Sequence, residues 1–365
     1  MTQNFFRKLV FLLFFLAFFS KPPYVFADDN SDGLTQEEKA EKRLQFNRFV
    51  EEELAKEART KAKESKKEEA APEKNWSISL TPSYGYERNV NLNSHRQGDT
   101  YYEETADAKI KFTHPGFLFL GPGNWGFGGG GDFFNYQHEK EDNYRQLVVG
   151  TYADSQLATN LVFKLSYDFS SIDYIHSDPL GYVSHRVKPV LTYSWNKQWA
   201  QFVYSSFEFK DYTSRKALSA DDFSLEKSRQ DTLSEHGMGL RFIPAKTMVF
   251  GVTGAYVSND SNDVFNDFND YAGPKITGYA FFQLPANFSM IYYGGFDFKK
   301  YAGRTFEGSD RTQEDKFFYA GGTLYYDIRK NTQIFLSYLY KQNDSNDITQ
   351  GYSDYILSAG LTYTI

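Results

Sequence analysis

The chain contains no cysteine. No disulfide can staple it, and no thiolate can hold a metal or attack a substrate. Tryptophan and methionine are scarce, at four each. Charge of one sign is lacking too: 40 basic residues against 47 acidic ones leave a net charge of −7. Without a basic surplus, nucleic acid is not an expected partner. Long apolar runs are missing beyond the first twenty residues, and a mean hydropathy of −0.58 excludes a bundle of apolar membrane helices. What is abundant is aromatic: 28 Tyr and 35 Phe in 365 residues. A chain rich in rings yet polar on average needs a structural cause.

The N-terminus stands apart. Arg7 and Lys8 precede the apolar stretch Leu9–Ser20, and Val25-Phe26-Ala27 reads as a small-residue cleavage site. This is the layout of a secretory signal over residues 1–27, too short in its apolar part to span a bilayer as a helix. Residues 28–75 are dominated by Glu, Lys, Arg and Ala. Leu44, Phe46, Phe49, Val50 and Leu54 make a partial helical stripe, too short for a coiled-coil seam. This segment reads as a charged, partly helical linker on the periplasmic side of an envelope. Ala70, Ala71 and Pro72 mark its end.

From Trp76 the period becomes two. Trp76, Ile78, Leu80, Tyr84 and Tyr86 alternate with Ser77, Ser79, Thr81, Gly85 and Glu87. Leu161, Phe163, Leu165, Tyr167 and Phe169 alternate with Lys164, Ser166, Asp168 and Ser170. Tyr355, Leu357, Ala359, Leu361, Tyr363 and Ile365 close the chain in the same way. Such stretches are strands with one apolar, aromatic face and one small, polar face. At roughly 10 to 16 residues they exceed the usual soluble strand and suffice to cross a bilayer when tilted.

The connections sort by length. Short turns are predicted at 121–124, 196–198, 245–247, 285–287 and 329–331, and longer polar loops at 89–99, 214–228, 259–270, 304–313 and 343–350. A transmembrane barrel alternates short periplasmic turns with long outer loops in this way. The expected fold is all-β: a transmembrane antiparallel up-and-down β-barrel over residues 76–365. Strands are predicted at 76–88, 100–113, 124–137, 143–153, 159–173, 182–195, 199–212, 230–243, 247–258, 271–284, 288–301, 315–328, 332–342 and 351–365. That is about fourteen, with twelve or sixteen left open by the Gly128–Gly131 run, which reads as a bulge, an extension or a misregistered strand. Since hydrocarbon offers no partner to an open edge, the first and last strands must pair. Trp76, Trp195, Trp199, Tyr326 and Tyr363 near strand ends suit interfacial girdles.

These features resemble the outer-membrane β-barrels of Gram-negative bacteria. Tyr84-Gly85-Tyr86-Glu87-Arg88-Asn89-Val90-Asn91 is similar to the opening strand and turn of β-barrel porin families, and also to the barrel of surface lipoprotein assembly modifiers. The last strand ends on Ile365, with Tyr363 as the nearest outward aromatic, where the class closes on a terminal aromatic. The resemblance implies a bacterial outer-membrane location, with lipid and lipopolysaccharide around the wall and small solutes as cargo.

No Gly-x-Ser-x-Gly elbow and no Ser–His–Asp arrangement is visible around the six histidines, so neither an enzyme nor a cofactor is expected. The Asn259–Asp270 loop lacks the spacing of an EF-hand and reads as a solvated loop, not a metal site. The informative residues are charged ones on the inward face. Lys109, Lys111, Lys164, Asp168, Arg186, Lys188, Arg241, Lys275, Asp297 and Lys299 are the candidate pore-lining set. A dry lumen would not hold them unless all were paired. Lys109, Lys111, Lys164, Arg186 and Lys188 read either as a strip favouring anions or as partners of Asp107, Asp168 and Glu103. Inward Tyr279, Phe281, Tyr293, Tyr319 and Tyr325 read either as stacking surfaces or as fillers of the bore. The expected function is passive diffusion of small polar solutes or ions. The alternatives are an export or assembly barrel that recruits an envelope partner through residues 28–75, and a structural or adhesive barrel.

Overall fold

The computed structural model describes residues 75–89, 98–114, 121–175, 181–217, 227–263, 267–305 and 310–365. The predicted signal and nearly all of the charged linker lie outside the described residues. Fourteen strands follow one another: β1 (Trp76–Glu87), β2 (Asp99–His114), β3 (Gly123–Tyr136), β4 (Tyr144–Ala158), β5 (Leu161–Tyr174), β6 (Tyr182–Ser194), β7 (Trp199–Lys216), β8 (Ser228–Ala245), β9 (Met248–Ser261), β10 (Tyr271–Gln283), β11 (Phe288–Thr305), β12 (Thr312–Arg329), β13 (Thr332–Ser345) and β14 (Tyr352–Thr364). Each pairs antiparallel with its neighbours in sequence, and β1 pairs with β14, so the ladder closes without an edge. The count of fourteen therefore stands.

Several details differ from the sequence reading. The Gly128–Gly131 run is neither bulge nor misregistered: each glycine keeps its place in unbroken ladders to β2 and β4. Glycine costs backbone entropy in a strand, but partners on both sides hold it there. The stretch 121–124 is not a free-standing turn, because β3 already begins at Gly123. β7, β11 and β12 also run further toward the long-loop end than predicted. Their polar extra residues look like loop, yet the ladder continues past the apolar band.

Alternation places the two faces. Ile78, Leu80, Tyr84, Phe127, Leu165, Val203, Met238, Val252, Ile276 and Leu336 are exposed on the outside, while Glu87, Asp132, Asp231, Asp315, Lys341 and Asp354 are buried on the inside. The outward apolar run of β1 goes from Trp76 to Tyr86. At about 3.3 Å per residue and a tilt near 40°, such a run covers about 25 Å, the height of the apolar band of outer-membrane-type barrels. All four tryptophans, Trp76, Trp125, Trp195 and Trp199, sit at the end where β1 begins, β14 finishes and the short turns lie. There Phe112–Trp125, Trp199–Phe242 and Phe288–Tyr326 have ring centroids 5.1, 4.2 and 4.7 Å apart, an aromatic girdle.

Among the turns at this end, that between β10 and β11 places Ala286 at φ 57° and Asn287 at φ 65°. Two consecutive left-handed residues match the twist of the flanking strands.

The inner wall also carries a belt of buried rings. Tyr101, Tyr136, Tyr144, Tyr174, Tyr182 and Tyr212 face inward from β2 to β7 near the long-loop end. The same cluster continues through Tyr293, Tyr319, Leu339 and Ile356, and Val257, Tyr271 and Tyr301 fill the remaining sector.

Candidate functional site: the lumen wall

The hydrogen-bonding phase of the ladder decides which inward residues can touch. In an antiparallel pair, residues facing one side are all hydrogen-bonded pairs, and those facing the other side are all non-hydrogen-bonded. Where strands are joined by a long loop, the inward pairs carry the bonds, as in Ser194 N–H donating to Asn160 O and Gln283 N–H to Thr247 O. Where a short turn joins them, the outward pairs do, as in Gln137 N–H to Thr100 O and Ala302 N–H to Asp270 O. Hydrogen-bonded pairs are the wider ones, by about 1 Å between Cα atoms. Inward side chains therefore have more room across the long-loop hairpins than across the short-turn ones.

The sequence uses that room. Eight inward glycines among the described residues face an aromatic ring directly across the ladder: Gly85–Tyr101, Gly126–Tyr152, Gly237–Tyr204, Gly239–Phe202, Gly251–Tyr279, Gly295–Tyr319, Gly321–Tyr293 and Gly360–Phe335. A Cβ added at any of these glycines would come within 3.0 Å of ring atoms. Each ring thus lies flat over its glycine, against the wall. All eight pairs bridge long-loop hairpins, and six of the seven such hairpins carry at least one. The exception, β5–β6, has Asp168 opposite Arg186 instead.

The predicted pore-lining residues occupy two sectors. On β2, Lys109 and Lys111 stand opposite Gly128 and Gly126, beside a row of β3 glycines without side chains. On β5 and β6, Arg186 donates to Asp168 Oδ2 through Nη2 at 2.6 Å and Nε at 3.2 Å. Lys164 and Lys188 hold their Nζ atoms 5.2 and 5.1 Å from the ring centres of Tyr152 and Tyr204. Within this set Arg186 is paired with Asp168, and Lys164 and Lys188 rest on ring faces.

In the other sector, Lys275 Nζ lies 3.0 Å from Glu235 Oε2, and the Tyr204 hydroxyl donates to the other oxygen of Glu235. Asp297 stands opposite Lys275 in the β10–β11 register. Lys299 Nζ is 4.6 Å from the ring centre of Tyr271. Arg241 faces inward on β8 near the short-turn end. Tyr279, Phe281, Tyr293, Tyr319 and Tyr325 all lie on the inner face, on β10 to β12.

Sequence reading did not single out a buried cluster at the closing seam. Lys341 Nζ lies 3.2 Å from Glu87 Oε1 and 3.0 Å from Asp354 Oδ2. The backbone N–H of Asn89 donates to Asp354 Oδ1 at 2.9 Å, and the Tyr136 hydroxyl donates to Glu87. All three charged side chains are at most 1% exposed. Alternation puts Lys341 and Asp354 inside, but Glu87 and Lys341 are separated by 254 residues, and only the closed ladder joins them. A second buried ion pair, Arg229–Asp231 at 2.6 Å, has the Arg229 guanidinium 4.9 Å from the centre of the Tyr212 ring.

The described histidines are dispersed. His138 Nδ1 contacts Asp99 at the long-loop end, while His185 and His236 face outward against Tyr167 and Ser205. Among the described residues no group of three or more His, Asp or Glu could hold a metal ion.

No protein-family model matches the chain, and no curated protein matches it. Solved structures do resemble it. A structure titled CymD monoaromatic hydrocarbon channel is 11% identical, with a TM-score of 0.43, covering 88% of this chain and 94% of that one. OccAB1 of Acinetobacter baumannii is 9% identical, with a TM-score of 0.42, covering 80% and 96%. A KdgM porin in complex with disordered oligogalacturonate is 11% identical, with a TM-score of 0.32, covering 60% and 94%. These are likenesses only; the chain's own closed fourteen-strand ladder and apolar exterior make it a barrel of the outer-membrane type.

Proposed function

We propose that the protein is a porin-like channel of a bacterial outer membrane, passing small polar solutes or ions by diffusion, without catalysis. The observation that carries this reading is the β2–β6 wall. Lys111 and Lys164 are exposed on its inward side, and Lys109 faces the glycine row of β3. Such ammonium groups are stable only against water, a solute or a counter-charge. The wall's selectivity would come from size and local field, with Lys109, Lys111, Lys164 and Lys188 favouring anions near the short-turn half. Asp168, Arg186, Arg241, Lys275, Asp297 and Lys299 would complete the lining as mixed, partly paired charge. Lipid and lipopolysaccharide would surround the outer face.

Reconstitution into planar bilayers tests this. The expected result is discrete single-channel current with a measurable reversal potential in a salt gradient. Absence of current from the full chain, and from a chain lacking residues 28–75, refutes it. The assembly-barrel alternative depends on residues 28–75, which fall almost wholly outside the described residues, and nothing on the barrel wall favours it.

A further inference from the structure

We propose that the eight inward glycines set the bore of the channel, and so are specificity-determining residues, by letting the opposing rings lie flat on the wall. This rests on the channel reading above.

A ring opposite any larger residue cannot occupy the glycine's place, because a Cβ there would fall within 3.0 Å of ring atoms. The displaced ring must leave the wall, and the one open direction for an inward side chain is the lumen. Next, the pairs recur only across hairpins whose inward pairs are the wide, hydrogen-bonded ones, so each ring has space to lie down. Last, the outward position Gly254 lacks this constraint, since a Cβ there would meet nothing within 4 Å, and where an outward glycine does lie under a ring, as Gly322 does under Tyr292, the contact points away from the lumen. Only on the inward face does the collision change the width available to a solute.

The flattened rings also set where cations stand. Tyr152 and Tyr204, flat over Gly126 and Gly237, are the rings on which Lys164 and Lys188 rest. Raising either ring would move the ring face and the ammonium above it together. Width and local field at this height are therefore controlled by one pair of glycines.

The test uses the full chain in planar bilayers, comparing Gly237→Val with Gly254→Val. The expected result is a fall of roughly twofold in single-channel conductance for Gly237→Val, and no change for Gly254→Val. Adding Tyr204→Ala to Gly237→Val should restore conductance, because the ring and not the valine obstructs the path. Single-channel conductance is read per folded channel, so a lower folded yield does not mimic the effect. Unchanged conductance in the surviving Gly237→Val channels overturns the inference and leaves the pairs as assembly joints. A wild-type chain that carries no current fails earlier and overturns the channel reading itself.

Discussion

Removing Lys341 should weaken the barrel at its closing seam. Its Nζ is shared by Glu87 of β1 and Asp354 of β14, at 3.2 and 3.0 Å, with all three side chains at most 1% exposed. Lys341→Met fits the aliphatic stem but deletes the charge, stranding two buried carboxylates on neighbouring strands. Breaking one partner out of a buried ion pair costs about 3–5 kcal/mol. Here the Asn89 N–H and Tyr136 hydroxyl donors remain to serve the stranded acids, which favours the lower end, about 3 kcal/mol. Equilibrium urea unfolding in lipid vesicles should show the midpoint falling while the slope is unchanged, since the surface exposed on unfolding is the same. The triple variant Lys341→Met, Glu87→Gln, Asp354→Asn should recover most of the loss, because no buried charge is then left alone. A single variant within about 0.5 kcal/mol of wild type, the scale of an ordinary surface substitution, would refute the reasoning. So would a triple variant no better than the single.

Leu165 is exposed on the outer face and Lys164 faces inward, so neighbouring substitutions should part company. Leu165→Arg is expected to cost up to about 2–4 kcal/mol, depending on its depth in the bilayer, measured by the same unfolding assay. Lys164→Ala should lose no more than about 1 kcal/mol, its contact with the Tyr152 ring, and should shift the reversal potential toward cations. Ala286→Gly should raise stability by up to about 1 kcal/mol by relieving a left-handed backbone, read as a higher unfolding midpoint. In the β9–β10 loop, burial raises the pKa of Asp270; the Ser261 N–H opposes this, and Asp260, Asp267 and Asp231 add to it. A carboxyl with a raised folded pKa favours the folded loop below its unfolded value, near 4, and that contribution is lost as pH rises through the folded value. Amide exchange in this loop should therefore be slower in acid, after correction for intrinsic rates, and Asp270→Asn should abolish the difference.

Much of the barrel was legible because period-two alternation is a local property. Trp76 to Tyr86 or Leu161 to Phe169 declare their two faces without any neighbour, and a strand with one apolar face must bury or solvate each face consistently. Fourteen strands followed from counting such stretches between polar loops, and even the glycine run of β3 sits where the count needed a strand. Strand ends were misjudged where polar residues continue the ladder beyond the apolar band, as in β7 and β12, because the cue to a strand end was apolarity and not pairing.

The sequence by itself determined the inward positions of Lys164, Arg186 and Lys275, because face depends only on parity along a strand. It left open which of these positions meet. Contact across strands depends on register and on which face carries the hydrogen bonds, and neither is written into alternation. The tertiary structure decided that Arg186 meets Asp168, that Lys164 rests on Tyr152, and that Lys341 joins acids from the first and last strands. It also decided that glycine and ring face each other across the wide pairs of the long-loop hairpins. The physical reason is closure. Only when the last strand returns to the first are all registers fixed at once, and only then do residues far apart in the chain become neighbours on one wall.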